Sequence, residues 1–369
     1  MDFGVFSLMG HREADKSSSQ VLQEAIEQTR LAEDLGFGMA WFAEHHFSNY
    51  CICPSPLMMV AHCAAVTKKI RLATGVIILP LYSPARLLSE LAIVDALSEG
   101  RLVIGIGSGY QPYEFDRFGV DLATSKEMMR EFADILDLAF TQDFFEYKGK
   151  YYTVPSTHIS ARFVNGFPQM WIGGDSEETY RLAARKGYAP IFSGRTEGVD
   201  GLVRTRKRCE EAFRAEGVDP SRMPIGMLRP VCVTHDKQAA RQFAENVRYQ
   251  LRLAGALRRR EEIMEGTIIV DRPLAQDPDV DIILNTLPIG PPDVVAERLA
   301  GEIRALQPEH MSIYFQLGGV PQSVALKSME LLMGEVKPRI ERALGPLSKI
   351  GIGFPAKRAP RVAAAVAAE

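Results

Sequence analysis

The feature that most constrains the fold is a repeated alternation of short apolar segments with segments of helical spacing. Eight apolar segments have the length of buried strands, and each is followed by a stretch with helical periodicity. The predicted strands span 3–8, 39–43, 70–79, 101–106, 170–173, 188–193, 225–234 and 310–316. This alternation is typical of a parallel sheet covered by helices. Eight units predict a closed (β/α)8 TIM barrel with enlarged loops, and an open doubly wound sheet is the alternative.

Two segments fall outside this alternation. The segment 257–288 opens with three arginines and two glutamates. Its charges indicate a solvated helix end and loop, although a long insertion in a compact domain could also form a lid. The tail 347–369 is rich in Ala, Pro and Arg and lacks periodicity, so we expect part of it to be disordered. The prediction is therefore one barrel domain over residues 1–346 with an insertion and a tail.

The composition is that of a soluble globular protein, with 46% hydrophobic and 24% charged residues. A net charge of −3 gives no electrostatic basis for binding nucleic acid or an anionic membrane surface. The first nine residues lack the basic start of a secretory signal, and the apolar runs are shorter than the ~20 residues of a membrane helix. Five scattered cysteines indicate reduced thiols in a cytoplasmic protein, and their spacing predicts no metal site.

A carboxylate and two imidazoles, Glu44, His45 and His46, follow the second predicted strand. Polar side chains at the carboxyl end of a barrel strand lie where ligands bind. Imidazole also has an unperturbed pKa that suits proton transfer near neutral pH. Because successive side chains on a strand alternate, only one of the histidines can face the barrel axis. The alternative is a solvated loop that contains one hydrogen-bonded core histidine.

A glycine-rich loop, residues 105–110, follows the fourth predicted strand. Its pattern is G-x-G-x-G, and we expect no helix directly after it because Pro112 and charged residues follow. It therefore does not match the dinucleotide-binding fingerprint. Three glycines nevertheless allow the backbone to approach a bulky ligand closely. A tight turn without a ligand is the alternative.

A second loop, Gly173-Gly174-Asp175-Ser176, follows the fifth predicted strand and leads into a helix. Asp175 or Ser176 would cap that helix. Free backbone N–H groups at a helix N-terminus bind anions, and the hydroxyls of Ser176 and Thr179, three residues apart, can face one phosphate. A plain helix cap would explain Ser176 but not the paired glycines. Because the two glycine loops follow neighbouring strands, a single phosphate could lie between them.

Several motifs, in order along the chain, resemble the bacterial luciferase-like family of flavin-dependent monooxygenases. The resemblance extends from Phe3-Gly4 to about Ile340. Its motifs are Glu44-His45-His46-Phe47, the segment from Ala73 to Pro80, the segment from Leu97 to Leu102, the glycines 105–109 followed by Phe118-Gly119, and Gly290-Pro291-Pro292 with Val295 and Leu299. Together they are much more specific than any one of them alone.

The resemblance implies a (β/α)8 barrel that binds FMN and forms a homodimer. It implies that reduced FMN, supplied by a separate NAD(P)H:flavin reductase, reacts with O2 to a C4a-peroxide that oxygenates a small organic substrate. His45 would be the catalytic acid/base with Glu44 beside it, and Gly75-Val76 would form a non-prolyl cis peptide under the flavin ring. The implied cofactor-binding residues are Gly75, Val76, Ser108, Gly109, Tyr110, Gly173, Gly174, Asp175, Ser176 and Thr179, of which Ser108, Ser176 and Thr179 would lie near the phosphate.

The chain also departs from the family pattern. Luciferase has a cysteine and an arginine where this chain has Gly107 and Ser108. Loss of the arginine removes a charge partner of the phosphate, so another residue would have to supply that charge, and light emission is not implied. A deazaflavin-dependent, hydride-transferring oxidoreductase of the same superfamily and a non-catalytic flavin-binding protein remain as alternatives. The substrate cannot be read from the sequence because the loops of this fold vary.

Overall fold

The computed structural model describes residues 1–13 and 16–354, and these form a closed parallel barrel. Its strands are β1 Asp2–Ser7, β2 Met39–Phe42, β3 Arg71–Thr74, β4 Leu102–Gly107, β5 Gln169–Gly173, β6 Ala189–Ser193, β7 Gly226–Pro230 and β8 His310–Tyr314. The neighbours in the sheet run β3-β2-β1-β8-β7-β6-β5-β4, and β3 also pairs with β4, which closes the ring. The predicted TIM barrel is confirmed.

The described helices surround this barrel. They are α1 Ser18–Leu35, α2 Pro56–Val66, α3 Pro84–Leu97, α4 Pro112–Phe118, α5 Ser125–Thr141, α6 Glu177–Lys186, α7 Val199–Ala215, α8 Lys237–Arg259, α9 Val280–Thr286, α10 Pro292–Leu306, α11 Gln322–Leu331 and α12 Lys337–Leu344. The alternation in the sequence predicted a helix after each strand. It did not predict α4 or α9, which are single short helices of seven residues within connecting segments.

Large rings fill the amino-terminal part of the barrel interior. Trp41 and Trp171 are fully buried, and their ring centroids lie 5.7 Å apart in an edge-to-face arrangement. The indole N–H of Trp41 donates to Nε2 of His310 at 2.8 Å, and Nδ1 of the same imidazole lies 2.5 Å from an Asp2 carboxylate oxygen. The proton of His310 is therefore on Nδ1. This packing leaves the carboxyl ends of the strands as the end at which a ligand can enter.

The segment 257–288 is anchored to the barrel by a few buried side chains. The three arginines end α8 and are exposed, as predicted for a solvated helix end. Beyond them, Met264–Glu265 and Ile268–Ile269 form an antiparallel hairpin, and Ile269 is 1% exposed. Two side chains of α9, Val280 and Ile283, are also buried. The segment is therefore an ordered cover of the barrel.

The amino terminus contacts residues 347–350 at the opposite face of the barrel. The amino group of Met1 donates to the carbonyls of Leu347 and Ile350 at 2.6 and 2.5 Å, and both of these residues are buried. The barrel packing therefore extends at least to Ile350. Most of the tail in which we expected disorder, residues 355–369, lies outside the described residues. None of the helices in the described part of the chain is long and apolar enough to cross a membrane.

Candidate active site

His45 lies in the loop after β2, where a buried carboxylate holds it. Its Nδ1 is 2.9 Å from an oxygen of Glu114, and the same oxygen accepts the backbone N–H of His46 at 2.7 Å. Glu114 is fully buried on α4. Because the carboxylate accepts at Nδ1, the proton of neutral His45 is on that nitrogen, and Nε2 is the nitrogen that can accept another.

Glu114 was missed because the sequence predicted no helix directly after the glycine loop. That prediction is wrong, since β4 ends at Gly107 and α4 begins at Pro112, with only four residues between them. Proline is favoured in the first turn of a helix, where its missing N–H has no intrahelical partner. The sequence signal for α4 was thus Pro112 itself, followed by an acidic residue in the first turn.

Two tyrosines enclose the imidazole of His45. The ring centroids of Tyr50 and Tyr110 lie 4.8 and 5.6 Å from that of His45, both in edge-to-face contact. Their hydroxyl oxygens are 3.2 Å apart. Burial raises the pKa of both phenols, so both hydroxyls stay protonated at neutral pH. Tyr110, predicted as a cofactor-binding residue, therefore belongs to the cluster around His45.

Glu44 does not face His45. One carboxylate oxygen lies 3.1 Å from Nε2 of His46, and the other accepts the hydroxyl of Tyr82 at 2.9 Å and the N–H of Ile78 at 3.3 Å. Glu44 is 2% exposed, and burial raises the pKa of its carboxyl group. Glu44 therefore pairs with His46, the histidine that strand alternation places on the same side of the chain.

The predicted third strand is interrupted where the resemblance implied a special peptide bond. β3 ends at Thr74, the peptide bond Gly75-Val76 is cis, and the chain resumes as a short strand, Ile77–Ile78, beside β4. The N–H of Gly75 donates to the carbonyl of Phe42 at 2.7 Å. This interruption lies at the carboxyl end of the barrel, in direct continuation of β3.

Two glycines receive the side chain of Val76. A Cβ atom at Gly107 would lie 2.6 Å from a Val76 methyl group, and one at Gly173 would lie 3.1 Å from the other methyl group. The first distance excludes any larger residue without a shift of Val76. Gly107 and Gly173 end β4 and β5, which pair in parallel. Val76, just beyond β3, thus packs against Gly107 and Gly173 at the ends of β4 and β5. We call the surface formed by these three residues the glycine floor.

The loop after β4 turns away from this floor at a left-handed residue. Gly109 has φ 75°, and a Cβ atom there would lie 2.4 Å from the Phe115 ring. Ser108 is half-buried, and its hydroxyl contacts only the adjacent carbonyl of Gly109 at 3.4 Å. The Ser108 hydroxyl is therefore not committed to a strong partner within the protein.

The loop after β5 forms the N-terminus of α6, as predicted. Ser176 is the N-cap, and its hydroxyl accepts the N–H of Thr179 at 3.3 Å and lies 3.0 Å from the Thr179 hydroxyl. The two hydroxyls are thus on the same side of the first turn. Gly174, with φ 141°, and Asp175 are exposed. The two hydroxyls therefore lie together at the N-terminus of α6, where unpaired backbone N–H groups can bind an anion.

Basic side chains from other elements surround this helix terminus. Arg195, in the loop after β6, lies 3.7 Å from Asp175. Lys126 and Arg130 of α5 both lie 3.8 Å from Glu178, in the first turn of α6. The sequence showed the residues but gave no sign of their position, since they are distant from Ser176 along the chain.

The described residues contain no cluster of three or more His, Cys, Asp or Glu side chains that could hold a metal ion. All five cysteines are buried free thiols. Burial raises the pKa of Cys53 to about 12, so this thiol, near His45 in the sequence, is not a nucleophile at neutral pH. The reactive groups of the candidate site are therefore the imidazole of His45 and the hydroxyls around it.

The chain is similar to known proteins along most of its length. The model of the luciferase-like monooxygenase family matches residues 1–308. An uncharacterised protein of Sinorhizobium fredii is 39% identical over 347 residues, which cover 94% of this chain and 99% of the relative. The oxygenase component of the flavin-dependent trigonelline monooxygenase of Acinetobacter baylyi is 28% identical over 288 residues, 75% of this chain and 78% of that protein.

Solved structures share the fold at lower identity. The oxygenating constituent of 3,6-diketocamphane monooxygenase from Pseudomonas putida, a complex with FMN, has a TM-score of 0.75 and 22% identity, covering 92% of this chain and 98% of the other. An F420-dependent secondary alcohol dehydrogenase has a TM-score of 0.72 and 18% identity, with 92% and 98% coverage. Given the match of the family model to most of its length, the chain belongs to the luciferase-like monooxygenase family.

Proposed function

We propose that the protein is the oxygenase of a two-component system that uses reduced FMN and O2 to oxygenate a small organic substrate. One observation carries this proposal: an imidazole oriented by a buried carboxylate lies at the same barrel end as a glycine floor and an anion-binding helix terminus. Bound reduced FMN would supply the electrons that activate O2. The remaining chemistry is the work of the protein side chains.

The residues present fit a flavin mononucleotide. Because Gly107 and Gly173 have no side chains, Val76 packs closely against β4 and β5, and a flat ring would lie against Val76 on this surface. The hydroxyls of Ser176 and Thr179 and the N–H groups of the first turn of α6 would hold the phosphate. Lys126 would supply positive charge from α5. Arg195 would supply it from the loop after β6 once its weak pairing with Asp175 is exchanged for the phosphate.

His45 would exchange a proton with the reacting groups through Nε2. The carboxylate of Glu114 would hold the tautomer in which Nδ1 is protonated and would stabilise the imidazolium form. The rings of Tyr50 and Tyr110 would limit the access of water to the imidazole. Glu44 would instead position the segment around the Gly75-Val76 peptide, since its carboxylate connects the end of β2 to the N–H of Ile78.

A separate protein would reduce the flavin. The chain carries no nicotinamide-binding fingerprint, because the glycine loop after β4 reads G-x-G-x-G. The name of the Acinetobacter relative, an oxygenase component, also points to a partner reductase. A deazaflavin-dependent hydride transfer is the second candidate, and the F420-dependent structural neighbour favours it.

We also propose that the protein is a homodimer, with α2 and α3 at its interface. Both helices expose large apolar side chains: Met58 is 73% exposed, Val66 41%, Ile93 51% and Leu97 59%. α2 contains no charged residue and is apolar on most of its faces, a composition typical of a helix that is covered all round. In one chain only the inner face of α2 is covered, so a second copy would cover the other.

The cofactor proposal is tested by anaerobic titration of the purified protein with reduced FMN and, in parallel, with reduced deazaflavin. We expect saturable binding of FMN below the millimolar range. Ser176→Ala should weaken it by about 1 kcal/mol, the contribution of an ordinary hydrogen bond. Ser221→Ala, a serine outside the barrel mouth that caps no helix, is the matched control.

Oxygen consumption then separates the two candidate functions. With an added flavin reductase and a panel of small organic substrates, the proposed enzyme consumes O2 and incorporates one of its atoms into a product. Absence of saturable FMN binding would rule the proposal out. Tighter binding of the deazaflavin, with substrate reduction or oxidation in the absence of O2, would establish the second candidate.

A further inference from the structure

Three adjacent arginines at the end of α8 have different surroundings. Arg259 contacts Glu261 at 2.9 Å, and Arg260 contacts both carboxylate oxygens of Asp116, one of them at 3.0 Å. Each of these two arginines is thus neutralised by a carboxylate. Within residues 1–13 and 16–354, no carboxylate lies within ion-pair distance of Arg258.

The guanidinium group of Arg258 lies against the candidate active site. Its central carbon is 4.7 Å from the centroid of the Tyr110 ring. The same ring is in edge contact with His45, at a centroid distance of 5.6 Å. One aromatic ring therefore separates an uncompensated positive charge from the imidazole that we propose to exchange protons. A cation–π contact of this kind fixes the guanidinium without neutralising it.

The backbone around Arg258 is held on both sides. Leu257, the preceding residue, is fully buried in the core. Two positions further on, Arg260 pairs with Asp116 on α4, the helix that also carries Glu114. Although the side chain of Arg258 is exposed, the backbone that carries it is therefore held in place relative to His45 and Glu114. A free surface arginine would have no such constraint.

We propose that Arg258 binds the anionic group of the substrate, and that the substrate is a small organic acid, a carboxylate or a sulfonate. The inference rests on the proposed oxygenase function and adds the substrate class. A guanidinium forms two parallel hydrogen bonds with a carboxylate, and it binds other oxyanions through the same donors. With its acid group on Arg258, such a substrate would have its remaining part beside Tyr110 and His45.

An alternative role for Arg258, interaction with the dipole of α8, predicts a different result. Basic residues in the last turn of a helix interact favourably with the helix dipole, and three arginines end α8. If Arg258 served only the helix terminus, its replacement would act on stability in the same way as replacement of Arg259. It would then leave the binding of small anions unchanged.

The test uses the full chain saturated with FMN. Its probes are three pairs of small molecules, each an acid and an uncharged compound of similar shape. The probes are acetate with acetamide, benzoate with benzamide, and methanesulfonate with dimethyl sulfone, each titrated by calorimetry and by the change in flavin absorbance. We expect at least one acid to bind about tenfold more tightly than its neutral partner, as a charge-assisted hydrogen bond would give. Arg258→Gln should abolish this preference, Arg258→Lys should keep part of it, and Arg259→Gln should leave it intact.

Two results would overturn the inference. In one, no acid is preferred over its neutral partner by the wild-type protein. In the other, Arg259→Gln reduces the preference as much as Arg258→Gln does. FMN binding is measured first on every variant, and its absence from the wild type would count against the cofactor proposal alone. The calorimetric titrations of the flavin-free chain would then decide the role of Arg258 by the same comparison.

Discussion

At the scale of single residues, His45 and His46 are neighbours with separate partners. His45 pairs with Glu114, and His46 pairs with Glu44. Strand alternation predicted that the two imidazoles would diverge, and the family resemblance assigned the catalytic role to His45. The partner of His45 was not predictable, because Glu114 lies 69 positions away along the chain and on a helix that the sequence analysis did not find.

Replacement of His45 by alanine should lower the rate of substrate oxygenation about 10²–10⁴-fold, the usual contribution of a general acid or base. FMN binding should stay within a few-fold of the wild type, because the residues that would bind its phosphate follow other strands. Rapid mixing of the reduced-flavin complex with O2 and substrate, under single-turnover conditions, measures the rate. His46→Ala is the control and should cost less rate and more stability. A wild-type rate for His45→Ala would mean that water or another group supplies the proton.

Glu44 should make the stability of the fold depend on pH. Burial raises the pKa of its carboxyl group above the ordinary value of 4.5. Between the ordinary and the raised pKa, the folded chain binds more protons at this site than the unfolded chain does. The free energy of unfolding contributed by Glu44 is therefore fully present below the ordinary pKa and is lost as pH rises through the raised one.

Glu44→Gln cannot titrate, so its free energy of unfolding should fall less steeply than that of the wild type as pH rises from about 4.5. Urea unfolding at a series of pH values measures both slopes. Glu211→Gln, which removes an exposed carboxylate on α7, is the matched control and should follow the wild type. Parallel curves for the wild type and Glu44→Gln would show that the carboxyl group titrates normally in the folded protein.

At the scale of elements, one side chain connects the insertion 257–288 to the loop of His45. The side-chain oxygen Oδ1 of Asn49 accepts the backbone N–H of Ile269 at 2.8 Å. Its side-chain nitrogen Nδ2 donates to the carbonyl of His11 at 2.7 Å and to the Tyr249 hydroxyl at 3.0 Å. Asn49 is 3% exposed. The hairpin is therefore docked through a buried amide four residues beyond His45.

We propose that this segment is a lid that closes over the bound flavin and excludes water. If so, limited proteolysis within 257–288 should slow when FMN and substrate are added. Asn49→Ala should increase cleavage in the absence of ligand, because it removes the hydrogen bond to Ile269 of the hairpin and the two bonds that fix Asn49 to His11 and Tyr249. Asn165→Ala, at an exposed asparagine far along the chain from the lid, is the control. Equal cleavage with and without ligands would count against a lid.

At the scale of the whole molecule, the exposed apolar face of α2 and α3 predicts self-association. The wild type should sediment at about twice the mass of one chain, 40.9 kDa. Met58→Asp combined with Leu97→Asp should shift the protein to the mass of a single chain, because charge on an apolar interface is costly to bury.

Ile282→Asp is the matched control for this experiment, since Ile282 is also exposed, by 58%, but lies on α9. It should sediment as the wild type does. A wild-type protein that sediments as one chain at micromolar concentration would refute the dimer. Loss of association by Ile282→Asp would place the interface elsewhere.

The sequence by itself determined the barrel and the ends of its strands. Apolar periodicity is a local property of the chain, so eight strands could be placed from short windows, and with them the loops at 45, 108 and 176 that meet at one end. Local chemistry likewise predicted the Ser176 cap, since an N-cap serine bonds to a backbone N–H within its own first turn.

The tertiary structure alone decided which distant side chains meet. Glu114 reaches His45, Lys126 and Arg195 approach the α6 terminus, and Arg258 lies on Tyr110. These contacts depend on the closure of the sheet and on the packing of helices against it, and no periodicity in the sequence encodes them. For that reason the sequence predicted the loops of the candidate active site, whereas the positions of the charged side chains around them follow only from the tertiary structure.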